Sequence, residues 1–321
     1  MSTLSNILRT SRPKQQIKNM LVLVPMLFSI NLWWSDNSVA NTLTILNSIV
    51  GTLSFGFSSW MIYIINDFVD KENDKTHPVK SGRPIASGLI SINIAILLII
   101  IFLSLSLIAA YSLEIDFFLS VISYQILMIC YCFFLKKIFI VDVISVATGY
   151  MLRAFGGALV VQYSHSHFIR LGLITENVIN ISIWLTLCTG LGSLFVLLMK
   201  RYSELSSRNK GHLKRNVIYK YDLNILSKSI IASELMTYFC YLGYCISSSF
   251  TSELLKGNTP PDYSLILTLP WVIIGMRRYK YVSTAFHIGE HPEQVITKDK
   301  LLQLIFILWV ISCTFLISTR V

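Results

Sequence analysis

Where a long apolar stretch runs out, oxygen-bearing side chains recur at helical intervals: Tyr63, Asn66, Asp67, Asp70 and Asp74. At about 100° per residue, all five fall within one arc of roughly 100° on a helix. Pro78 and the Gly82-Arg83-Pro84 turn follow and end the helical pattern. Three carboxylates and an amide on one face repel one another unless a cation sits among them. Hard oxygen ligands of this charge suit Mg²⁺ shared with a diphosphate. The plainer alternative is a solvated helix end whose acids pair with Lys71, Lys75 and Lys80.

The elements that must hold this cluster are membrane helices. The chain has 321 residues, 54% hydrophobic and 14% charged, with a mean hydropathy of +0.62. A soluble domain carries about 25% charged residues, and here the apolar residues fall in long blocks. At about 20 residues per crossing, nine spans are expected in an all-α integral membrane bundle. They lie near 19–35, 41–65, 89–111, 117–135, 138–161, 178–199, 226–248, 263–276 and 301–318. The stretch before residue 40 resembles a signal peptide, but the later spans make it a retained first helix. With nine spans, 23 of the 27 Lys and Arg residues fall on one side and three on the other, Arg153 lying within a span. That asymmetry puts the N-terminus and the basic loops in the cytoplasm of a multi-pass cell membrane protein. The net charge of +10 thus reflects topology and not a nucleic-acid surface. The six cysteines have no zinc spacing and read as apolar filler. His165 and His167 are expected in an outer loop, remote from the acids.

Asn66-Asp67-x-x-Asp70-x-x-x-Asp74 resembles the first aspartate-rich motif of the UbiA superfamily of intramembrane prenyltransferases. Other segments are similar to its decaprenyl-phosphate 5-phosphoribosyltransferase branch. Arg12-Pro13-Lys14-Gln15-x-x-Lys18-Asn19 precedes the first span, and Tyr131-x-x-x-Leu135-Lys136 is soon followed by Asp142-Val143. Gly149-Tyr150-x-Leu152-Arg153-Ala154-x-Gly156-Gly157 and Lys200-Arg201-x-x-Glu204-Leu205 come later, in the same order. The resemblance covers nearly the whole chain. It departs from ordinary UbiA enzymes in one place: their second aspartate-rich motif is replaced by a basic segment from Lys200 to Lys210. A basic loop suits a bare lipid phosphate better than a metal-bound diphosphate.

The resemblance implies transfer of 5-phosphoribosyl from phosphoribosyl pyrophosphate (PRPP) to a polyprenyl phosphate, with release of pyrophosphate, for cell-wall arabinan precursor synthesis. Asn66, Asp67, Asp70 and Asp74 are the expected Mg²⁺ ligands, the three aspartates being catalytic. Lys18, Lys80 and Arg83 are candidates for the PRPP phosphates, with Tyr63 and Tyr131 donating to phosphate or ribose. Lys136, Lys200 and Arg201 are candidates for the lipid phosphate. Arg153 and Asp142 could pair with each other, pair with a neighbouring helix, or line the cavity. The expected organisation is one polytopic domain over 1–321, with cytoplasmic active-site loops at 63–88 and 200–225. Membrane lipids surround it, and a homo-oligomer stays open. Two other readings remain: an ordinary prenyltransferase acting on a small acceptor, and a transporter. A transporter predicts acids deep in several spans or inverted repeats.

Overall fold

A computed structural model describes residues 3–34, 36–76, 78, 80–172, 182–206, 220–256, 263–286 and 288–319. Among these residues there is no β-strand, as a bilayer requires of any chain that does not close into a barrel. Seven helices are long and apolar enough to cross a membrane. They are α4 (Ser38–Val69), α6 (Ile92–Tyr111), α7 (Ile115–Phe133), α8 (Val141–Arg170), α9 (Ile183–Ser206), α10 (Leu223–Lys256) and α13 (Lys300–Ser318). Shorter helices complete the chain: α1 (Thr3–Ser11), α2 (Val24–Phe28), α3 (Ile30–Trp33), α5 (Lys71–Lys75), α11 (Leu269–Ala285) and α12 (Pro292–Lys298).

The expected count of nine is not established, because the first and eighth segments differ from simple spans. The first is broken: a 3₁₀ stretch Pro13–Leu23 passes into α2, which carries Pro25 in its first turn, and the helix is interrupted again at Ser29 before α3. Proline lacks the N–H that would continue an i→i−4 ladder, so the backbone changes helix type there. The eighth starts as a 3₁₀ turn at Ser264–Thr268. Pro270 then sits in the first turn of α11, where its missing N–H costs nothing, so it opens a helix that runs on to Ala285. The 207–219 part of the expected active-site loop at 200–225 lies outside the described residues.

Composition decides which helices are inside. α6 is apolar on every side, with a mean hydropathy of 2.9 over its best window, and most of it is exposed on the bundle surface. α8 is the most buried span because small residues line it. At Gly157 an added Cβ would lie 2.0 Å from the backbone oxygen of Val22, and at Gly156 it would lie 2.8 Å from the Phe55 ring. The broken first segment therefore packs backbone-close on α8. Ser58, Ser106 and Gln125 tie α4, α6 and α7 together, with Ser58 Oγ 2.7 Å from Ser106 Oγ and Gln125 Nε2 donating to both. His165 and His167 belong to the last turns of α8 and not to a loop. The helix outlasts the apolar run there because Ser164, His165 and Phe168 stay buried against the bundle.

At the opposite end, α4 stops at Val69 and resumes after Asp70 as α5. The acid face survives this break. Asp70 N–H donates to Asn66 O at 3.0 Å and Asp74 N–H to Asp70 O at 2.8 Å, so the i, i+4 register holds across the junction.

Candidate active site

The acids lie at one interface, each against a cation. Asp67 and Asp74 are both 2% exposed. One guanidinium nitrogen, Nη1 of Arg83, lies 3.0 Å from Asp67 Oδ1 and 2.6 Å from Asp74 Oδ2. Lys80 Nζ is 3.9 Å from the other Asp74 oxygen. Asp70 Oδ1 accepts from Lys136 Nζ at 2.6 Å, and the same ammonium donates to Asn66 Oδ1 at 3.3 Å. Thus four oxygens from the arc form two pairs, each converging on one positive centre.

Arg12 completes this ring by donating to Asp67 Oδ1. Sequence reasoning counted it toward topology and as the start of the motif ending at Lys18-Asn19, but gave it no role in the site. Its backbone is left-handed, at φ 49° and ψ 64°, a strained state for a non-glycine residue. The residue before a proline is also disfavoured in the ordinary helical region, and the turn aims the guanidinium at α4. The Arg12 Cζ lies 5.2 Å from the centre of the Tyr63 ring, and Arg9 Nη2 donates to Gly82 O at 3.3 Å. Two N-terminal arginines thereby fasten α1 to the acid turn.

Behind Tyr63 lies a deeper layer. Lys18 lies close to Tyr150 and Tyr63. Arg153 is 6% exposed and does not pair with Asp142. It donates to Asn19 Oδ1 at 2.8 Å, Gly149 O at 3.0 Å, Ser59 Oγ at 3.2 Å and Tyr124 OH at 2.6 Å.

Asp142 instead meets the end of α9. Arg201 Nη2 lies 2.9 Å from Asp142 Oδ2, and Arg201 Nη1 lies 2.5 Å from Glu204 Oε2. Tyr221 OH donates to Asp142 Oδ1 at 2.5 Å and accepts from Ile140 N–H at 3.2 Å. Burial, then the hydrogen bond to Asp142, push the Tyr221 phenol above its ordinary value, so it stays a donor. Ile140 has φ 68°, an outlier for a β-branched residue. The clamp thus holds a strained turn between Lys136 and α8.

Of the residues singled out from sequence, Asn66, Asp67, Asp70, Asp74, Lys80, Arg83 and Lys136 form the acid ring. Lys18 and Tyr63 stand just inside it. Tyr131 is buried and close to Arg201. Lys200 is half-buried at the end of α9, and Arg201 is held by two carboxylates. Asp142→Asn should lower stability by about 3 kcal/mol, the low end for breaking a buried pair, because Glu204 still holds Arg201. Thermal melting in detergent would measure it, and an unchanged midpoint would show that the clamp adds nothing.

The chemistry of the donor set fits a hard divalent cation: every inward group on the arc is an oxygen, and opposed pairs already share cationic centres. Among the described residues, no three acids converge tightly enough to hold a metal ion by themselves, so the cations now between them would have to yield to it.

Comparison with known proteins places this geometry. The UbiA prenyltransferase family model matches residues 22–283. The decaprenyl-phosphate phosphoribosyltransferase of Mycolicibacterium smegmatis is 27% identical over 309 residues, covering 95% of this chain and 90% of that protein. Its namesake from Corynebacterium glutamicum is 28% identical over 311 residues, covering 95% and 84%. A UbiA homolog from Archaeoglobus fulgidus bound to GPP and Mg²⁺ shares the fold, with a TM-score of 0.65 at 20% identity over 98% of this chain and 99% of that one. The structure of a digeranylgeranylglyceryl phosphate synthase gives 0.61 at 17% identity, covering 99% and 100%. With a family match that spans most of the chain and takes in the whole acid arc, this membrane protein belongs to the UbiA prenyltransferase family.

Proposed function

We propose that this protein transfers 5-phosphoribosyl from PRPP to a polyprenyl phosphate and releases pyrophosphate. One observation carries the reading. The acid ring is suited to one metal-bound diphosphate, while the end of α9, where ordinary UbiA enzymes place a second acid motif, carries half-buried Lys200 and, beside it, Arg201 paired with Asp142 and Glu204. A single diphosphate site together with a basic segment matches a diphosphate donor with a monophosphate acceptor. The relatives from M. smegmatis and C. glutamicum carry the name of that activity.

Asn66, Asp67, Asp70 and Asp74 would hold Mg²⁺, which when bound neutralises charge on the diphosphate. Arg12, Arg83 and Lys80 then turn from the acids to the diphosphate oxygens and hold the leaving group. The C1–O bond to the diphosphate breaks with oxocarbenium character at C1. A lipid phosphate oxygen held near Lys136 and Lys200, with Arg201 behind them in its carboxylate clamp, forms the new C1–O bond from the opposite face. That oxygen is already anionic near neutrality, so no residue need act as a general base. The acid ring and most of the basic residues would face the cytoplasm of the cell membrane. The whole chain would act as one polytopic domain.

The test is incubation of purified protein with labelled PRPP, polyprenyl phosphate and Mg²⁺. Label in the organic phase with stoichiometric pyrophosphate is the expected result. Turnover of a prenyl diphosphate without any PRPP dependence would replace this reading by the ordinary prenyltransferase. Chelation of divalent cations should stop transfer while leaving the melting temperature unchanged, because Arg12, Arg83, Lys80 and Lys136 pair the acids without an ion. Unfolding on chelation would show instead that the ion is structural.

A further inference from the structure

Two cations stand near the acid ring with no ion-pair partner among the described residues, Arg153 buried and Lys18 half-buried. Arg153 donates to four partners, all neutral, and stacks over the Tyr124 and Tyr150 rings at 4.5 and 5.5 Å. Lys18 lies close to the same Tyr150, and its chain neighbour Asn19 accepts from Arg153. The two positive charges therefore share one aromatic cage. Among the described residues neither makes an ion pair. The Glu293 carboxylate of α12 acts on Lys18 only from a distance, and it lies 3.6 Å from His291 Nδ1. Inside a membrane bundle an uncompensated cation is costly, and two like charges in one cage compound the cost. Such a site is built for an anion.

Its position identifies the anion. Tyr63 borders both sites: Arg12, which donates to Asp67, lies 5.2 Å from its ring centre, and Lys18 and Arg153 lie close enough to act on its phenol. One aromatic side chain is thus shared by a diphosphate site and a second cationic site. A phosphoribosyl donor has the matching layout, a diphosphate on C1 and a phosphate monoester on C5 of one five-membered ring. A prenyl diphosphate has hydrocarbon in place of that monoester, which would desolvate the two cations without pairing either. We propose that Lys18 and Arg153, with the phenols of Tyr63, Tyr124 and Tyr150, bind the 5-phosphate of the donor and so select a sugar phosphate over a prenyl chain. The guanidinium fork of Arg153 suits a tetrahedral oxyanion, and the lysine adds a compact second charge. This assignment rests on the phosphoribosyl donor proposed above.

The test separates the two anion sites with two probes, each titrated calorimetrically into purified full-length protein. Ribose 5-phosphate reports the inner cage, and pyrophosphate with Mg²⁺ reports the acid ring. Lys18→Met and Arg153→Gln should each weaken ribose 5-phosphate binding by at least about tenfold, the loss of one charge-assisted contact. Pyrophosphate affinity should stay within about threefold in both. Lys18 lies in the 3₁₀ segment, so its variant serves even where loss of Arg153 impairs folding. Parallel loss of both probes would overturn the proposal, and so would ribose 5-phosphate affinity equal to that of the unsubstituted protein. A protein that transfers phosphoribosyl with an unchanged KM for PRPP in both variants would overturn this assignment alone. One that binds no ribose 5-phosphate and turns over prenyl diphosphate would overturn the donor reading with it.

Discussion

Asp70→Asn should reduce phosphoribosyl transfer by about a thousandfold, about 4 kcal/mol of transition-state stabilisation, in a protein that still folds and inserts. The change is isosteric and removes one negative charge from the ring. Asp70 is half-buried and its partner Lys136 also touches Asn66, so the ammonium keeps an oxygen partner and the turn keeps its shape. What goes is a carboxylate from the set proposed to hold Mg²⁺ against the diphosphate. Steady-state kinetics at saturating PRPP, alongside thermal melting, separates the two effects. Turnover like that of the unsubstituted protein would remove the acid cluster from the chemistry.

Gly157→Ala should produce the largest loss of stability of any single methyl group added to the bundle, about 3 kcal/mol or more. The new carbon would lie 2.0 Å from Val22 O and 2.8 Å from Val22 C, and both atoms are backbone, so no rotamer can move aside. Either α8 or the broken first segment must shift by about 1 Å to restore a van der Waals contact. That segment carries Lys18 and Asn19, so the fraction that remains folded should also lose activity. Gly192→Ala is the control, since its nearest neighbour would be a side-chain methyl at 3.8 Å. Equal melting temperatures for the two variants would contradict the close approach.

Hydropathy was enough to expose the seven long helices, because a bilayer demands unbroken apolar runs. It was not enough at residues 13–33, where Pro13 and Pro25 change the helix type within an apolar run, nor at Pro270, which starts a helix in place of kinking one. The acid arc was legible because all its members lie within twelve residues at one period. Its cations were legible where they lie nearby, as Lys80 and Arg83 do. Arg12 was not, since its contact with Asp67 joins residues 55 apart and its side chain also fits a topology signal. The same limit applied to Arg153. Asp142, three turns away on the same helix, looks like its natural partner, yet the partners come from α4, α7 and the first segment, while Asp142 turns to α9 and Tyr221. Neighbours in the fold that are far apart in the chain leave no spacing to read.

The sharing of partners around the acid ring has a consequence for how mutational energies there combine. Arg83 serves Asp67 and Asp74 together, Asp67 serves Arg12 and Arg83, and Lys136 serves Asn66 and Asp70. Removing one acid frees only part of a cation, which the remaining acid then takes up more fully. Single-substitution costs at these positions are therefore not independent and cannot be summed. The second loss within a shared set depends on whether the first has already released the common cation. For this ring the meaningful quantity is the coupling between pairs of positions, not a value per residue.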